Sequence, residues 1–386
     1  MTQPGTAPGR SWANWPADST PHDSAPPQLP KSKEDTEEMT TYRTLGRTGV
    51  KVSPLTLGAM NFGAWANDDH DEAIKIIHQA LDSGINVIDT ADVYSQGENE
   101  EIVGKALAGG RRDDVFLATK FHGQIGDNPN HQGNSRRWIH QAVENSLRRL
   151  GTDHIDLYQA HRPDPTTDLD ETIGALDDLV RQGKIRYFGT TTFEPHQIVE
   201  GQWTAERLRR QRPVTEQPPY SILARAAERA VLPVAERYGL GVLPWSPLAG
   251  GWLSGRYRKG DTAHAVSSRL ERQPHRHDPE LAANQRKREA AEQLAELADE
   301  AGLSLIHLSL AFVLEHPAVS TVIIGPRTQE HLTSQLGAVD VRLSRDVLDR
   351  IDEIVPPGIT ISPADEGYQP PSLTDPATRR RSAARA

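Results

Sequence analysis

The 386-residue sequence predicts an α/β fold, a (β/α)8 TIM barrel with disordered N- and C-terminal tails. Eight short apolar runs of strand character alternate with amphipathic, helix-like segments. Gly84, Gly151, Gly183 and Gly239 each follow such a segment, the position typical of a left-handed residue that ends a helix. Eight parallel strands joined by right-handed helical crossovers close into a barrel and leave no open sheet edge.

The predicted strands follow one another with the spacing of βα units. In chain order they are VSPLTLGA, INVIDT, VFLATK, HIDLYQAH, KIRYFGT, PVTEQ, LGVLPWS and TVIIG. The segment before Gly151 illustrates the intervening helices, because Trp138, Ile139 and Ala142 recur at helical spacing on one face. An open doubly wound sheet is the alternative. To bind a dinucleotide it would need a GxGxxG turn after the first strand, which this chain lacks.

Both ends of the chain differ in composition from this alternating region. Residues 1–40 contain seven prolines, the charged run KSKEDTEE and too few aliphatic side chains to offset the entropy of ordering. We therefore predict a disordered N-terminal tail over residues 1–40. Residues 362–386 are similar in character and end in an arginine cluster, which predicts a flexible C-terminal tail. The barrel domain is assigned to residues 41–361.

Composition narrows the class of protein. The formal net charge of -10 and the pI near 5.8 argue against nucleic-acid binding, which needs a basic surface. No run approaches the roughly 18 apolar residues of a membrane helix, and the N-terminus lacks an apolar signal-peptide core. The chain has no cysteine, so disulfides and thiol chemistry are excluded. We predict a cytoplasmic protein with neither a nucleic-acid nor a membrane partner; its oligomeric state is left open.

Three successive predicted strands end in an ionisable residue. INVIDT reaches Asp89, VFLATK ends on Lys120 and HIDLYQAH ends on His161, while Tyr94 follows in the loop after Asp89. A buried strand has no structural use for such groups at its tip, because each costs desolvation free energy unless it is paired. The carboxyl ends of parallel barrel strands lie on one face. We therefore predict that these four residues form one polar site.

The residue types indicate proton transfer to or from an oxygen atom. Tyr94 is the predicted proton donor or acceptor, and we expect the ammonium of Lys120 to lower the pKa of its phenol. Asp89 is expected to hold and neutralise Lys120. His161 is expected to donate a hydrogen bond to a carbonyl oxygen and orient it. Such a set suits the protonation of a carbonyl oxygen as hydride reaches its carbon.

The motifs that carry these residues resemble those of the aldo-keto reductase superfamily. DTADVY, LATK and DLYQAH occur in the order of that family, together with TLGRTGVKVSPLTLGAMNFG, GKIRYFGTTTF, VLPWSPLAGG and TVIIGPR. The resemblance extends from Tyr42 to Val355 and is strongest to the bacterial branch related to the β subunits of voltage-gated potassium channels. It implies an NADPH-dependent oxidoreductase that reduces an aldehyde or ketone to an alcohol, with Tyr94 as general acid.

The same resemblance implies that NADPH lies extended across the carboxyl ends of the strands. Gln217, Thr191 and Thr192 would contact the nicotinamide carboxamide, and Trp245 would stack on the ring. Backbone N–H groups after Trp245, with Arg256, would contact the pyrophosphate, and Arg327 with His331 the adenosine 2′-phosphate. The implied cofactor-binding residues are Gly58, Ala59, Met60, Asp89, Thr191, Thr192, Gln217, Trp245, Ser246, Pro247, Leu248, Gly250, Arg256, Arg327, His331 and Gln335.

Two other functions remain open at this level. An NADPH-binding barrel could act as a redox-sensing regulatory subunit with little turnover, although relatives of that kind can lack the histidine that is present here as His161. A metal-dependent barrel hydrolase would need His and carboxylate ligands at several strand ends. Only one strand end carries a histidine, and His275 and His277 lack partners at ligand spacing, so no metal is predicted. Trp65, Arg162 and Trp252 are expected to shape the pocket for an unidentified small-molecule carbonyl substrate.

Overall fold

The computed structural model of the protein describes residues 42–258, 270, 273–278 and 280–380. The predicted N-terminal tail therefore lies outside the described residues. A two-stranded antiparallel hairpin, β1 (Arg43–Thr44) and β2 (Lys51–Val52), precedes one parallel sheet of eight strands. Those strands are β3 (Leu55–Gly58), β4 (Val87–Asp89), β5 (Phe116–Phe121), β6 (Ile155–Ala160), β7 (Ile185–Thr191), β8 (Thr215–Gln217), β9 (Gly241–Val242) and β10 (Val322–Ile324).

The sheet order is β10-β3-β4-β5-β6-β7-β8-β9, so strands that follow in sequence are neighbours in space. The ends of this row also meet. The backbone N–H of Ser320, just before β10, donates to the carbonyl oxygen of Val242 in β9, and the N–H of Ile323 in β10 donates to that of Pro244, just after β9, both at 3.0 Å. The parallel sheet therefore curls round to bring its two edge strands together, and the predicted (β/α)8 fold is confirmed.

Helices connect the strands on the outside. The longer ones are α1 (His70–Asp82), α2 (Glu98–Leu107), α3 (Arg136–Leu150), α4 (Leu169–Arg181), α5 (Pro195–Leu208), α6 (Val231–Tyr238), α7 (Ala282–Glu300), α8 (Leu305–Glu315), α9 (Gln329–Leu336) and α10 (Arg345–Ile354). Ser135 caps α3 by accepting a hydrogen bond from the N–H of Trp138, and left-handed Gly151 (φ 62°) ends it. In the part of the chain that the structure describes, the long helices α7 and α8 and a short helix, Pro274–His277, lie between β9 and β10.

None of the described helices is by itself long and apolar enough to cross a membrane. Pro274–Glu300 and Leu305–Glu315 reach that length and composition only when taken together, and they are bent by 94°.

Along β4 and β5, side chains alternate between two apolar cores. Ile88 and Leu117 face the helices in the larger core, whereas Val87, Phe116 and Ala118 belong to a smaller core inside the barrel. Leu45 and Val52 of the β1–β2 hairpin segment pack into that smaller core. Because strand side chains alternate with a period of two, the residue two places after an inward-facing residue also faces inward. Asp89 and Lys120 therefore continue inward-facing rows.

The chain returns to the barrel after residue 361. A short 3-10 helix, Pro363–Glu366, follows Ser362, and Asp365 is only 5% exposed. Its carboxylate accepts hydrogen bonds from Arg276 Nε at 3.0 Å and from Lys287 Nζ at 2.8 Å. Flexibility of residues 362–386 stays a prediction for the tail as a whole, and residues 381–386 lie outside the described residues. Its first residues, however, are packed against the barrel by buried ion pairs.

Candidate active site

Three of the four predicted site residues form a buried, hydrogen-bonded group. Lys120 Nζ lies 2.5 Å from Asp89 Oδ1, 2.7 Å from the carbonyl oxygen of Thr90 and 3.5 Å from the hydroxyl oxygen of Tyr94. The Lys120 and Asp89 side chains are 0% and 4% exposed. A buried ammonium is tolerated here because a carboxylate and a carbonyl oxygen accept from it.

His161 completes the group from the end of β6. Its ring meets that of Tyr94 edge-on, with centroids 5.7 Å apart and planes at 79°. Burial, followed by the positive charges of Arg162 and Lys120, holds the pKa of His161 well below its ordinary value. The imidazole is therefore neutral and carries one N–H donor. The structure thus brings together all four residues that the strand ends predict.

The turn after β4 directs Tyr94 toward the site. Ser95 and Gln96 adopt left-handed conformations with φ of 47° and 55°, which are unusual for residues other than glycine. Ser95 Oγ accepts a hydrogen bond from the N–H of Trp65 at 3.2 Å, and the Trp65 ring lies 5.9 Å from the Tyr94 ring. The strained turn therefore holds Trp65 and Tyr94 side by side, in agreement with the expected place of Trp65 at the pocket.

The pKa of Tyr94 shifts in the direction opposite to our expectation. Burial raises the pKa of the phenol above its ordinary value, and the nearby ammonium of Lys120 only partly opposes this. Burial would lower the pKa of Lys120, but Asp89 and Tyr94 together raise it. The prediction of a lowered phenol pKa was therefore wrong, because the loss of hydration outweighs the attraction between phenolate and ammonium. Tyr94 is a protonated phenol beside a charged lysine.

A pair of amides holds the second oxygen of the Asp89 carboxylate. Gln217 Nε2 donates to Asp89 Oδ2 at 2.9 Å, and Gln159 Nε2 lies 3.4 Å from the same atom. The family resemblance predicts Gln217 as a cofactor contact, and the structure places its amide on Asp89. Gln159 was not among the predicted residues. Strand alternation could have found it, because Gln159 lies two places before His161 on the same strand and shares its inward face.

Trp245 lies at the edge of this group, among residues that are distant in sequence. The guanidinium carbons of Arg162 and Arg276 lie 5.9 Å and 5.8 Å from its ring centroid. A Cβ atom added to Gly367 would lie 2.5 Å from Trp245 Cζ2 and 3.4 Å from Thr192 Cγ2. Residue 367 is thus close-packed against two predicted cofactor residues. No sequence signal indicated this contact of the C-terminal segment.

The backbone after Trp245 forms an irregular turn with free amides. Ser246 and Gly250 have positive φ values of 61° and 72°. The N–H groups of Ser246 and Leu248 donate no hydrogen bond to any group that the structure describes, and Pro247 between them is buried. A Cβ added to Gly250 would lie 2.7 Å from the ring of His277. Free amides in such a turn suit a bound anion.

Arg256, Arg327 and His331 form a cluster at the far end of that turn. Arg256 Nη2 lies 3.2 Å from His331 Nε2, and Arg256 and Arg327 repel each other. Burial and this repulsion lower the pKa of Arg327, and burial followed by both arginines lowers that of His331. In the part of the chain that the structure describes, neither arginine has a carboxylate within ion-pair distance. The residues fit a phosphate group, because a guanidinium can donate two parallel hydrogen bonds to phosphate oxygens.

The remaining predicted cofactor positions lie at the ends of β3 and in α9. Gly58 is close-packed against β10, because an added Cβ would lie 2.7 Å from Ile323 Cγ2. The N–H of Ala59 donates to the carbonyl oxygen of Asp89 at 2.8 Å, and Met60 is exposed. Gln335 is buried, and its amide donates to the carbonyl oxygen of His331 at 2.7 Å.

Trp252 does not shape the pocket as expected. The ring is 1% exposed, its Nε1 donates to the carbonyl oxygen of Arg276 at 3.1 Å, and it stacks on Tyr257 with centroids 4.2 Å apart. Trp252 is therefore a core residue. His275 is exposed, and among the described residues no group of three or more His, Asp or Glu side chains could hold a metal ion.

Glu216, a further buried carboxyl that we had not singled out, supports the Thr191–Thr192 turn. It accepts hydrogen bonds from Thr190 Oγ1 at 2.5 Å and from the N–H of Phe193 at 3.2 Å. Burial raises its pKa from 4.5 to about 7, although these hydrogen bonds and Arg162 oppose the shift. Between these two pH values, the folded protein keeps a proton that the unfolded chain loses. The stability contributed by Glu216 therefore falls as pH rises through this window.

Glu216→Gln is expected to remove this pH dependence. The difference in the free energy of unfolding, variant minus wild type, should increase by roughly 3 kcal/mol from pH 4.5 to pH 8. Urea unfolding of both proteins at several pH values measures the difference, and Glu206→Gln, an exposed change on α5, is the control. Parallel stability curves for the wild type and Glu216→Gln would contradict the assignment.

Comparison with known proteins identifies the family of this chain. Residues 54–356 match the family model of the Aldo/keto reductase family. The uncharacterized oxidoreductase YrpG of Bacillus subtilis is 41% identical over 326 residues, which cover 82% of this chain and 96% of that protein. A probable voltage-gated potassium channel subunit beta of Oryza sativa is 37% identical over 321 residues (81% of this chain, 96% of that protein). A putative one of Schizosaccharomyces pombe is 34% identical over 330 residues (81% and 93%). These matches confirm the resemblance, and the chain belongs to the aldo/keto reductase family of oxidoreductases.

Proposed function

We propose that this protein is an NADPH-dependent reductase that converts an aldehyde or ketone to an alcohol, with Tyr94 as the general acid. The observation that carries the proposal is the position of the Tyr94 hydroxyl, 3.5 Å from the ammonium of Lys120, which Asp89 holds at 2.5 Å. A protonated phenol beside a cation can give its proton to an oxygen on which negative charge develops, since the cation stabilises the phenolate that remains.

Each residue of the group has a distinct part in this chemistry. Bound NADPH supplies the hydride. Tyr94 donates its proton to the carbonyl oxygen, and Lys120 stabilises the resulting phenolate. Asp89, held by Gln217, keeps Lys120 charged and in place. His161, as a neutral imidazole, donates its single N–H to the same carbonyl oxygen and orients it toward Tyr94.

The arginine cluster supports NADPH over NADH. We assign Arg327 and His331 to the adenosine 2′-phosphate, with Arg256 between this group and the pyrophosphate. We further assign the free N–H groups of Ser246 and Leu248 to the pyrophosphate, which suits their place between Trp245 and the cluster. Trp245 would hold the nicotinamide ring by stacking on it.

Arg327→Ala is expected to raise the KM for NADPH by about ten- to a hundredfold, the value of one hydrogen-bonded ion contact. The KM for NADH should change little, because NADH lacks the 2′-phosphate. Steady-state kinetics with both cofactors at a saturating aldehyde concentration measure the two changes. An equal increase in the KM for NADPH and for NADH would show that Arg327 does not bind the 2′-phosphate.

The experiment that tests the function is NADPH oxidation by the purified protein with a panel of aldehydes and ketones, with NADH in parallel. Turnover of at least one carbonyl compound that requires Tyr94 is the expected result. Because two of the relatives are named channel β subunits, a regulatory subunit with little turnover is the second candidate. Tight NADPH binding without reduction of any compound would favour that candidate instead.

A further inference from the structure

Arg162 is a cation without a carboxylate partner at the edge of the active site. It directly follows His161, and its Nη1 donates to the carbonyl oxygen of His161 at 2.6 Å and lies 3.3 Å from Thr192 Oγ1. Its guanidinium also lies 5.9 Å from the ring centroid of Trp245. Among the described residues, no carboxylate lies within ion-pair distance of it, and burial lowers its pKa. A guanidinium removed from water in this way is costly unless an anion compensates it.

The other cations near Arg162 already have their carboxylates. Lys120 is paired with Asp89 at 2.5 Å. Arg276, which contacts the same Trp245 ring, is paired with Asp365 at 3.0 Å, and Asp365 is shared with Lys287.

Among the described residues, Glu216 is the carboxyl whose negative charge opposes the effect of burial on the pKa of Arg162. Its two oxygens, however, accept from Thr190 Oγ1 and the N–H of Phe193 rather than from Arg162. No carboxylate of the described residues therefore forms an ion pair with Arg162, which lies near the tyrosine that we assign as general acid.

We propose that Arg162 binds an anionic group of the substrate, so that the preferred substrates are aldehydes or ketones carrying a carboxylate near the carbonyl. This inference rests on the proposed reductase function. The Nε and Nη2 atoms of Arg162 make no hydrogen bond in the part of the chain that the structure describes, and a guanidinium offers two such N–H groups to a carboxylate in parallel. The phosphates of the dinucleotide are the alternative anion for Arg162, because they have the same chemistry. The affinity for NADPH distinguishes a cofactor phosphate from a substrate carboxylate.

The test compares substrates that differ only in charge. The kcat/KM values of 3- and 4-carboxybenzaldehyde are measured against those of their methyl esters at saturating NADPH, at neutral pH and low ionic strength. For at least one isomer we expect the acid to be preferred by about ten- to a hundredfold, the value of a charge-assisted hydrogen bond. An ester group makes the aldehyde more electrophilic than a carboxylate does, so intrinsic reactivity opposes this result. The preference should also decrease with added salt.

Two variants assign the preference to one guanidinium. Arg162→Met should reduce the acid-to-ester ratio to near one. Arg276→Met is the matched control, because Arg276 lies on the same Trp245 ring but is paired with Asp365, so its loss should leave the ratio high. A ratio near one in the wild type, or a high ratio that persists in Arg162→Met, would overturn the proposal. Loss of NADPH affinity in Arg162→Met with an unchanged ratio would assign Arg162 to the cofactor instead.

A binding measurement keeps the inference separate from the reductase function. Calorimetry with the NADPH-loaded protein compares benzoate with benzamide, which has a similar shape and no charge. Stronger binding of benzoate that is lost in Arg162→Met supports the anion site even if no aldehyde is reduced, in which case only the proposed reaction fails. Equal binding of benzoate and benzamide to the wild type would refute the anion site, whatever the turnover.

Discussion

Tyr94→Phe is expected to reduce kcat for carbonyl reduction by about 10²- to 10⁴-fold, the usual contribution of a general acid, while NADPH still binds. The substitution removes only the hydroxyl. The phenyl ring keeps its contacts with Trp65 and His161, whose ring centroids lie 5.9 Å and 5.7 Å from that of Tyr94. The loss should therefore fall on the chemical step and not on the shape of the pocket. Single-turnover oxidation of bound NADPH, with fluorescence titration of NADPH binding, measures the two effects separately.

Tyr158→Phe is the matched control for the loss of a buried hydroxyl. The Tyr158 hydroxyl is buried without a hydrogen-bond partner in the described structure, and its ring packs on Phe121 with centroids 4.9 Å apart. This variant should keep full turnover, since the hydroxyl makes no contact that phenylalanine would lose. Equal activity of Tyr94→Phe and the wild type would remove Tyr94 from the mechanism. A loss of both NADPH binding and turnover in Tyr94→Phe would indicate a structural role for Tyr94.

Lys120→Met is expected to abolish turnover and to reduce the free energy of unfolding by about 3–5 kcal/mol. The Asp89 carboxylate would remain buried without its cation, held only by Gln217 at 2.9 Å and Gln159 at 3.4 Å. The cost comes from this uncompensated charge, because methionine fills nearly the same volume as lysine. Urea unfolding monitored by circular dichroism gives the stability, and NADPH oxidation gives the turnover.

The double variant Asp89→Asn, Lys120→Met separates charge from shape. Removing both charges leaves neutral groups that can hydrogen-bond or pack, so the double variant should recover much of the stability lost in Lys120→Met. Turnover should not recover, because no cation remains to stabilise the Tyr94 phenolate. A double variant as unstable as the sum of the two single variants would show that Asp89 and Lys120 are not coupled.

The barrel and the four polar residues of its site could be predicted from the sequence because both depend on local patterns. Strand side chains alternate with a period of two, so an ionisable residue such as Asp89 at the end of an apolar run indicates which face it joins. Parallel strands place all such ends on one face, and this brings Lys120 and His161 together without any knowledge of distances. Tyr94 follows Asp89 closely enough in sequence that the same strand carries it to the site.

The tertiary structure alone decided the charge states and the edge of the pocket. The raised pKa of Tyr94 depends on how completely water is removed, which is a sum over many distant residues and leaves no mark in a motif. The contact of Gly367 with Trp245 joins residues 122 positions apart, and the pairing of Arg276 with Asp365 decides which of the two arginines at Trp245 lacks a carboxylate partner. Burial and long-range contacts are properties of the folded chain, so these features could not be deduced from sequence spacing.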